Sequence, residues 1–388
     1  MQQFIAILPV ILGNIGKRLG SSLVTVIGVA GVVCVLVSIL AMAQGMHRTL
    51  AATGRPDRAI ILAKGAVTES SSTIPRDAAE SAIESAGIHK GPDGKPIASR
   101  EMLAQLRLPQ RGGALGLVSV RGIDALAPLR PEIRLLHGRM FRSGVQELIV
   151  GRALLDRFPG LEVGKTVIVE RSAWTITGSF ESAGDAHESE VLGDATSLLS
   201  AYHRGSFQSI TVALDGPAAL AQLTASLDAN SSLGLEAHRE DQFYAARSQI
   251  VIRVLTIIGI FVGSIMAIGA VFAALNTMYT AVAQQAGLIA TLRAIGFNAM
   301  PVLAAVFTEA LLLALTGAIL GLLVAALLFG GYSASAASNQ AQIIFTIRIS
   351  PSLIVQGIAW SLVIGMLGGI LPAIRAARLP VAQALRDL

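Results

Sequence analysis

Charge-free stretches alternate with ordinary soluble sequence along this chain, and their order predicts its architecture. No residue from Gly20 to Met46 is charged, and neither is any from Val254 to Leu292. Ala294 to Arg348 carries only Glu309 before its terminal arginine, and Ile349 to Ile374 is again uncharged. About 20 apolar residues cross the roughly 30 Å of bilayer hydrocarbon, so each stretch is long enough to span. The pattern predicts four transmembrane helices, at 21–45 and at about 252–283, 302–331 and 352–374. Lys17 and Arg18 precede the first stretch as basic residues precede a signal-peptide core, but the stretch is too long for one and has no small-residue cleavage site. It reads as a retained span.

Before it, Phe4, Ile5, Leu8, Ile11, Leu12 and Ile15 recur at helical spacing, which predicts an interfacial helix over residues 1–20. Between the first two spans, 46–250 has a soluble pattern. Short β-rich runs at Leu117–Val120, Glu147–Val150, Thr166–Glu170, Trp174–Phe180 and Ser209–Leu214 are broken by Gly and Pro. Helical patterns at Arg76–Ala86 and Ala218–Ala229 alternate with them, and Lys90–Pro96 reads as an exposed loop. The predicted fold class is a polytopic α-helical membrane protein with an α+β extracytoplasmic domain, in one lobe or two, inserted between helices 1 and 2.

Composition agrees: the 388 residues are 53% hydrophobic and 14% charged, with a mean hydropathy of +0.64. The net charge of +5 comes from scattered Lys and Arg without interleaved aromatics, which excludes a nucleic-acid surface. Cys34 is the single cysteine, so no intramolecular disulfide or CxxC pair forms. Lys17, Arg18, Arg293, Arg375, Arg378 and Arg386 mark one side as cytoplasmic by the positive-inside rule, which places both termini there. Gly28, Gly31, Gly259, Gly263, Gly269, Gly317, Gly321, Gly365, Gly368 and Gly369 lie in the spans, where small residues let helices approach closely.

Candidate chemistry is thin. Gly160–Thr166, GLEVGKT, is one residue short of the G-x-x-x-x-G-K-[ST] phosphate loop and reads as a turn before a strand. His89, His137, His187, His203 and His238 are dispersed, and neither HExxH nor GxSxG occurs. Glu181, Asp185, Glu188, Glu190 and Asp194 cluster around His187 without ordered ligand spacing, which reads as a solvated loop and no metal site. No catalytic, cofactor or metal residues are therefore assigned.

Two segments carry more information: Asn276–Gly296, NTMYTAVAQQAGLIATLRAIG, and Gly365–Leu385, GMLGGILPAIRAARLPVAQAL. With the layout of one span, a large domain and three spans, they resemble the MacB/FtsX-type ABC permeases, which include the LolC/LolE proteins. The resemblance covers essentially the whole chain. It implies a MacB-like core domain over 46–250 and an FtsX-like permease domain over 251–388 that ends in a cytoplasmic tail. It further implies that Leu288, Ile289, Leu292, Arg293, Ile295 and Gly296 form a cytoplasmic element docking on an ATPase. Gln284, Gln285, Ala286, Gly287 and Leu288 stand where the family usually has charged residues, so docking is expected to rest on apolar contact. Glu309, the charge inside the third span, is assigned a structural or coupling role. Lys17, Arg18, Arg375 and Arg378 are read as cytoplasmic anchors.

The expectation is a non-catalytic subunit of the inner (cell) membrane, without a nucleotide-binding motif or cofactor of its own. ATP and Mg would be held by two copies of a separate ABC ATPase. A second permease subunit, like or unlike, and a membrane-fusion-type adaptor are the other implied partners. Movement of the extracytoplasmic domain would drive export or extraction of a substrate. The alternatives are regulation of an extracytoplasmic hydrolase and a membrane-anchored sensor or binding protein.

Overall fold

The computed structural model describes residues 19–124, 129–216, 218–338 and 341–378. The interfacial helix expected over 1–20, Lys17, Arg18 and the C-terminal tail beyond Arg378 therefore lie outside the described residues, apart from the helical Leu19 and Gly20. Contacts divide the chain into a helical unit and a sheet unit. The helical unit is Ile252–Tyr332 with the described parts of Met1–Gln44 and Ile347–Leu388, and the sheet unit is Gly45–Val251 with Ser333–Thr346.

Helices α1 (Leu19–Thr53), α2 (Arg76–Ile83), α3 (Arg152–Leu155), α4 (Ala195–Ala201), α5 (Ala219–Ala229), α6 (Glu240–Gln284), α7 (Ala286–Ala294), α8 (Ala299–Phe329) and α9 (Pro351–Ala377) follow one another along the chain. Among the described residues, four segments are long and apolar enough to cross a membrane: Ser22–Thr53, Ile252–Gln284, Ala299–Phe329 and Pro351–Ala377. Two helices outrun their apolar parts, since α1 continues to Thr53 past the expected end at 45 and α6 begins at Glu240, ahead of 252. Hydropathy marks only the lipid-length portion, whereas the helical hydrogen-bond ladder continues through sequence with no breaker until Gly54.

Within the helical unit, seven of the ten glycines sit where backbones meet closely. A Cβ on Gly317 would come 2.8 Å from Val29 Cβ, and one on Gly321 would come 2.5 Å from the Ala30 carbonyl oxygen, both across the α1–α8 contact. Gly365 and Gly369 meet Ala314 and Ala310 of α8, Gly368 meets Ala274 of α6, and Gly259 and Gly263 of α6 meet Ile39 and Leu36. Gly31 and Gly269 face no atom within 4 Å, and Gly28 only Ala270 at 4.0 Å. Thr25 and Thr277 add a 2.6 Å hydroxyl pair between α1 and α6.

The sheet unit is built on β1 (Arg58–Ala63), β3 (Ala98–Pro109), β4 (Leu115–Ile123), β5 (Arg134–Gly138), β6 (Glu147–Gly151), β7 (Thr166–Val169), β8 (Ser172–Glu181), β9 (Glu190–Asp194), β11 (Ser209–Ala213) and β12 (Leu235–Arg239), with β2 (Ile74–Pro75) and β10 (Ser206–Phe207) as a separate pair. The order is β12-β1-β11-β3-β4-β9-β6-β8-β5, with β7 on β8, in one continuous sheet. Pairs β4–β9 and β6–β8 are parallel and the others antiparallel. One face of the central strands carries Met102, Ala104, Val118, Val120, Val191, Ile210 and Val212 into the apolar core, with Phe158 and Trp174. The other face carries Ser99, Glu101, Ser119, Arg121, Glu190, Ser209 and Thr211, and all of these are buried too.

Part of this face is covered by a hairpin that hydropathy did not reveal. Residues between α8 and α9 form β13 (Ser333–Ser338) and β14 (Ala341–Thr346) and belong to the sheet unit. β14 packs over β4 and the 3₁₀ turn Ala186–Ser189, and Ile344 joins the core. Gly45 makes room for this hairpin, since a Cβ there would come 2.9 Å from Thr346 O.

Candidate functional site

The connector after α6 is shaped by local sequence. The backbone N–H of Gln285 is shared between the Ala281 and Val282 carbonyls, which closes α6 before α7 starts. At the other end, Gly296 adopts φ +103°, Phe297 N–H bonds to Leu292 O at 3.1 Å and Gly296 N–H to Arg293 O at 3.2 Å. This is a Schellman ending, which needs a residue without Cβ strain at Gly296.

The predicted site residues divide by direction. Ile289 is fully buried against Met278, Val282, Val302, Val306, Ala373 and Ala376, and Leu292 packs beside it, so both serve the helical core. Leu288 is half-buried. Arg293 is half-buried and donates through Nη1 to the Ala377 carbonyl at 3.2 Å, placing a cation on the C-terminal end of α9. Ile295 is 69% exposed, and Met300, which sequence reasoning passed over, is 73% exposed. Arg375 and Arg378 are exposed, with the Arg375 guanidinium 5.4 Å over the Tyr279 ring. Glu309 is buried within α8.

The second cluster, in the sheet unit, is a buried ionic network that the sequence did not suggest. Arg121 donates to Glu69 (2.7 and 3.2 Å), Glu101 (2.6 Å) and Glu190 (2.8 and 3.0 Å). Arg130 donates to Glu101 at 2.9 Å, Thr211 at 3.2 Å and Glu240 at 3.4 Å. Arg58 donates to Glu240 and Glu132, each at 2.7 Å. A guanidinium can only donate, so Arg130 Nη1, 2.7 Å from His187 Nε2, requires a lone pair there. His187 Nδ1 lies 2.9 Å from Glu190 Oε2, so the ring bridges Arg130 and Glu190. Ser119, whose Oγ has no partner among the described residues, lines a cavity of about 40 Å³ beside Arg121, His187 and Tyr244, enough for a water molecule.

The acidic cluster around His187 is thus not a solvated loop. Asp185, His187, Glu190 and Asp194 are buried, and each has a structural partner. Asp185 accepts from His187 N–H and Ser182 Oγ, and Asp194 caps α4 by accepting from Ser197 N–H at 2.8 Å. Among the described residues no group of three or more His, Cys, Asp or Glu is placed to hold a metal. The GLEVGKT stretch is the expected turn, with Gly164 N–H bonded to Ile176 O.

Burial raises the Glu101 carboxyl, but Arg130 and Arg121 overcome this and hold it at about 2. Glu69 and Glu190 are likewise lowered, against their burial, chiefly by Arg121. Asp185 runs the other way, raised by burial. A lowered folded-state carboxyl stabilises fully above its unfolded value and loses that contribution as pH falls through its folded value. Glu101 alone therefore contributes about 3 kcal/mol at neutral pH. The expected outcome is that the sheet unit loses stability between about pH 4.5 and 2, in a transition that Glu101→Gln makes shallower. Pulse proteolysis across that range measures it.

Residues 22–230 match the family model of the MacB-like periplasmic core domain, and 260–381 match the FtsX-like permease C-terminal model. Macrolide export ATP-binding/permease protein MacB of Nitrobacter winogradskyi is 24% identical over 273 residues, 63% of this chain, which spans 39% of that relative's length. Among solved structures, the extracellular domain of the noncanonic ABC-type transporter YknZ from Gram-positive bacteria is similar at 11% identity and TM-score 0.36, over 47% of this chain and 99% of that one. The periplasmic region of MacB from Actinobacillus actinomycetemcomitans gives 16% identity and TM-score 0.37, over 49% and 92%.

Proposed function

Since this chain belongs to the MacB/FtsX-type ABC permeases, a multi-pass membrane family with an extracytoplasmic domain, we propose that it couples ATP hydrolysis by a separate ATPase subunit to movement of its sheet unit. That movement drives export or extraction of a substrate across the cell envelope. The chain acts as a non-catalytic subunit, with ATP and Mg in two ATPase copies, a second permease subunit beside it and both termini in the cytoplasm.

The observation that carries this reading is the order of the two family matches with α7 between the second and third spans. A short helix with a Schellman ending, packed on the core through Ile289, is a stiff connector, and the exposed Ile295 and Met300 that follow it offer apolar contact to a partner. This distributes the docking role: Ile295 meets the ATPase, while Ile289, Leu292 and Arg293 hold the connector to the bundle.

Co-purification with a candidate ABC ATPase from the same organism tests the reading. Ile295→Glu places a charge in an apolar contact and is expected to weaken association at least about tenfold. Its exposure leaves the fold untouched. Undiminished association of Ile295→Glu and of Met300→Glu would sink the docking role. Arg293→Glu is a poorer probe, because it also removes the contact to Ala377 O.

A further inference from the structure

Four times the chain passes between its helical and sheet units: after Gln44, after Val251, and on either side of the hairpin Ser333–Thr346. Inside the sheet unit, the segments that begin or end at these passages are bonded, directly or through one arginine, to a single four-residue turn, Ala186–Ser189. Thr53, the last residue of α1, accepts the Ala186 N–H at 3.0 Å with Oγ1, and gives its own proton to Thr49 O. Glu240, the first residue of α6, is reached through Arg130, whose Nη1 lies 2.7 Å from His187 Nε2 and 3.4 Å from Glu240 Oε1. Ser189 Oγ accepts the Ile344 N–H at 3.0 Å and donates back to Ile344 O at 3.3 Å, holding the hairpin.

The turn is itself stiff. Asp185 accepts from His187 N–H, Glu188 Oε1 accepts from Ser182 N–H and Gly184 N–H at 2.8 Å each, and His187 is held to Glu190 and so to Arg121. Gly151, at the end of β6, has no room for a Cβ because the Glu188 backbone lies against it. A loop that merely satisfied its own polar groups would need none of these long-range partners, which are 133 and 155 positions away at Thr53 and Ile344.

We infer that the turn Ala186–Ser189 is the joint that ties the roots of α1, α6 and the α8–α9 hairpin into one mechanical element, with His187 and Ser189 as positioning residues for coupling. A displacement entering through any one segment is then shared by the other two, and the sheet moves as a body. The inference extends the proposed coupling function, but the joint exists or fails independently of any ATPase.

Hydrogen exchange on the full chain in lipid nanodiscs, without partner, tests the joint by reciprocity. Ser189→Ala breaks both bonds to Ile344, and amides at 50–58 and 241–246 are expected to exchange about tenfold faster, beyond the local effect at 341–346. Thr53→Val acts from the other side and is expected to accelerate 341–346 similarly. Ser189→Thr, which keeps the hydroxyl, restores wild-type rates at all three segments. β3, read at 102–108, is the control for intact fold, and if one variant accelerates it equally the other variant decides. Acceleration confined to the segment next to each substitution overturns the proposal. Failure of the ATPase to associate would strike the proposed function and leave this result standing.

Discussion

Arg121→Ala is expected to destabilise the sheet unit by about 3–5 kcal/mol, the cost of removing one partner from a buried ionic cluster. Three carboxylates, Glu69, Glu101 and Glu190, converge on this guanidinium, and all four residues are at most 8% exposed. Without it, burial and mutual repulsion push the Glu69 and Glu190 carboxyls upward, whereas Glu101 keeps Arg130 at 2.9 Å. Wild type loses stability as pH falls below about 4.5, and the variant is expected to lose much less over the same range, because the two carboxyls that Arg121 held low no longer contribute. Trp174, fully buried in this unit, reports the transition by fluorescence once the only other tryptophan is replaced, as Trp360→Phe. A variant with wild-type stability, or with unchanged pH slope, would show that the network is not what holds this face of the sheet. Adding Glu69→Gln and Glu190→Gln to an Arg121→Met chain, with Glu101 left to pair with Arg130, is expected to recover part of the loss, because the penalty lies in unpaired charge.

The second large effect belongs to the membrane helices. Gly321→Leu is expected to prevent close packing of α1 on α8, because even its Cβ would stand 2.5 Å from the Ala30 carbonyl oxygen and 3.1 Å from its carbon. These are backbone atoms of a helix and yield only if the whole helix shifts, so a cost of at least about 3 kcal/mol follows. Gly269→Ala provides the opposite case: open space surrounds that position, and helix propensity favours Ala by about 1 kcal/mol. Thermal unfolding of the detergent-solubilised chain, followed by size exclusion, separates the two. Equal melting temperatures for both variants would mean that the α1–α8 contact is not tight in the folded protein.

The two predictions bear on one property, stiffness within each unit. Close helix contacts through Gly317, Gly321, Gly365 and Gly369 leave little slack within the helical unit. The ionic network does the same within the sheet unit, since Glu240 receives Arg55 N–H, Arg58 Nε and Arg130 Nη1 at the first residue of α6.

Much of this was legible in one dimension. Lipid imposes a length and an absence of charge, so the four spans, the inserted domain and the family resemblance could be read without contacts. Strand runs such as Trp174–Phe180 and the turn at Gly160–Thr166 were equally local, being set by alternation and by glycine placement. What the sequence could not decide was which neighbours arrive from far away. Ser119 and Arg121 alternate with Val118 and Val120 as a half-exposed strand should, and only the hairpin and the turn Ala186–Ser189, folded over that second face, convert it into a buried polar layer. His187 and its acidic neighbours read as solvated because the arginines that neutralise them lie in other strands and loops. Ile289 and Ile295 belong to the same apolar turn in sequence, yet one is fully buried and the other 69% exposed, because helix phase and the position of α9 assign the faces. Spans follow from the solvent a segment must meet, a property of its own residues, whereas partners follow from the fold, a property of them all.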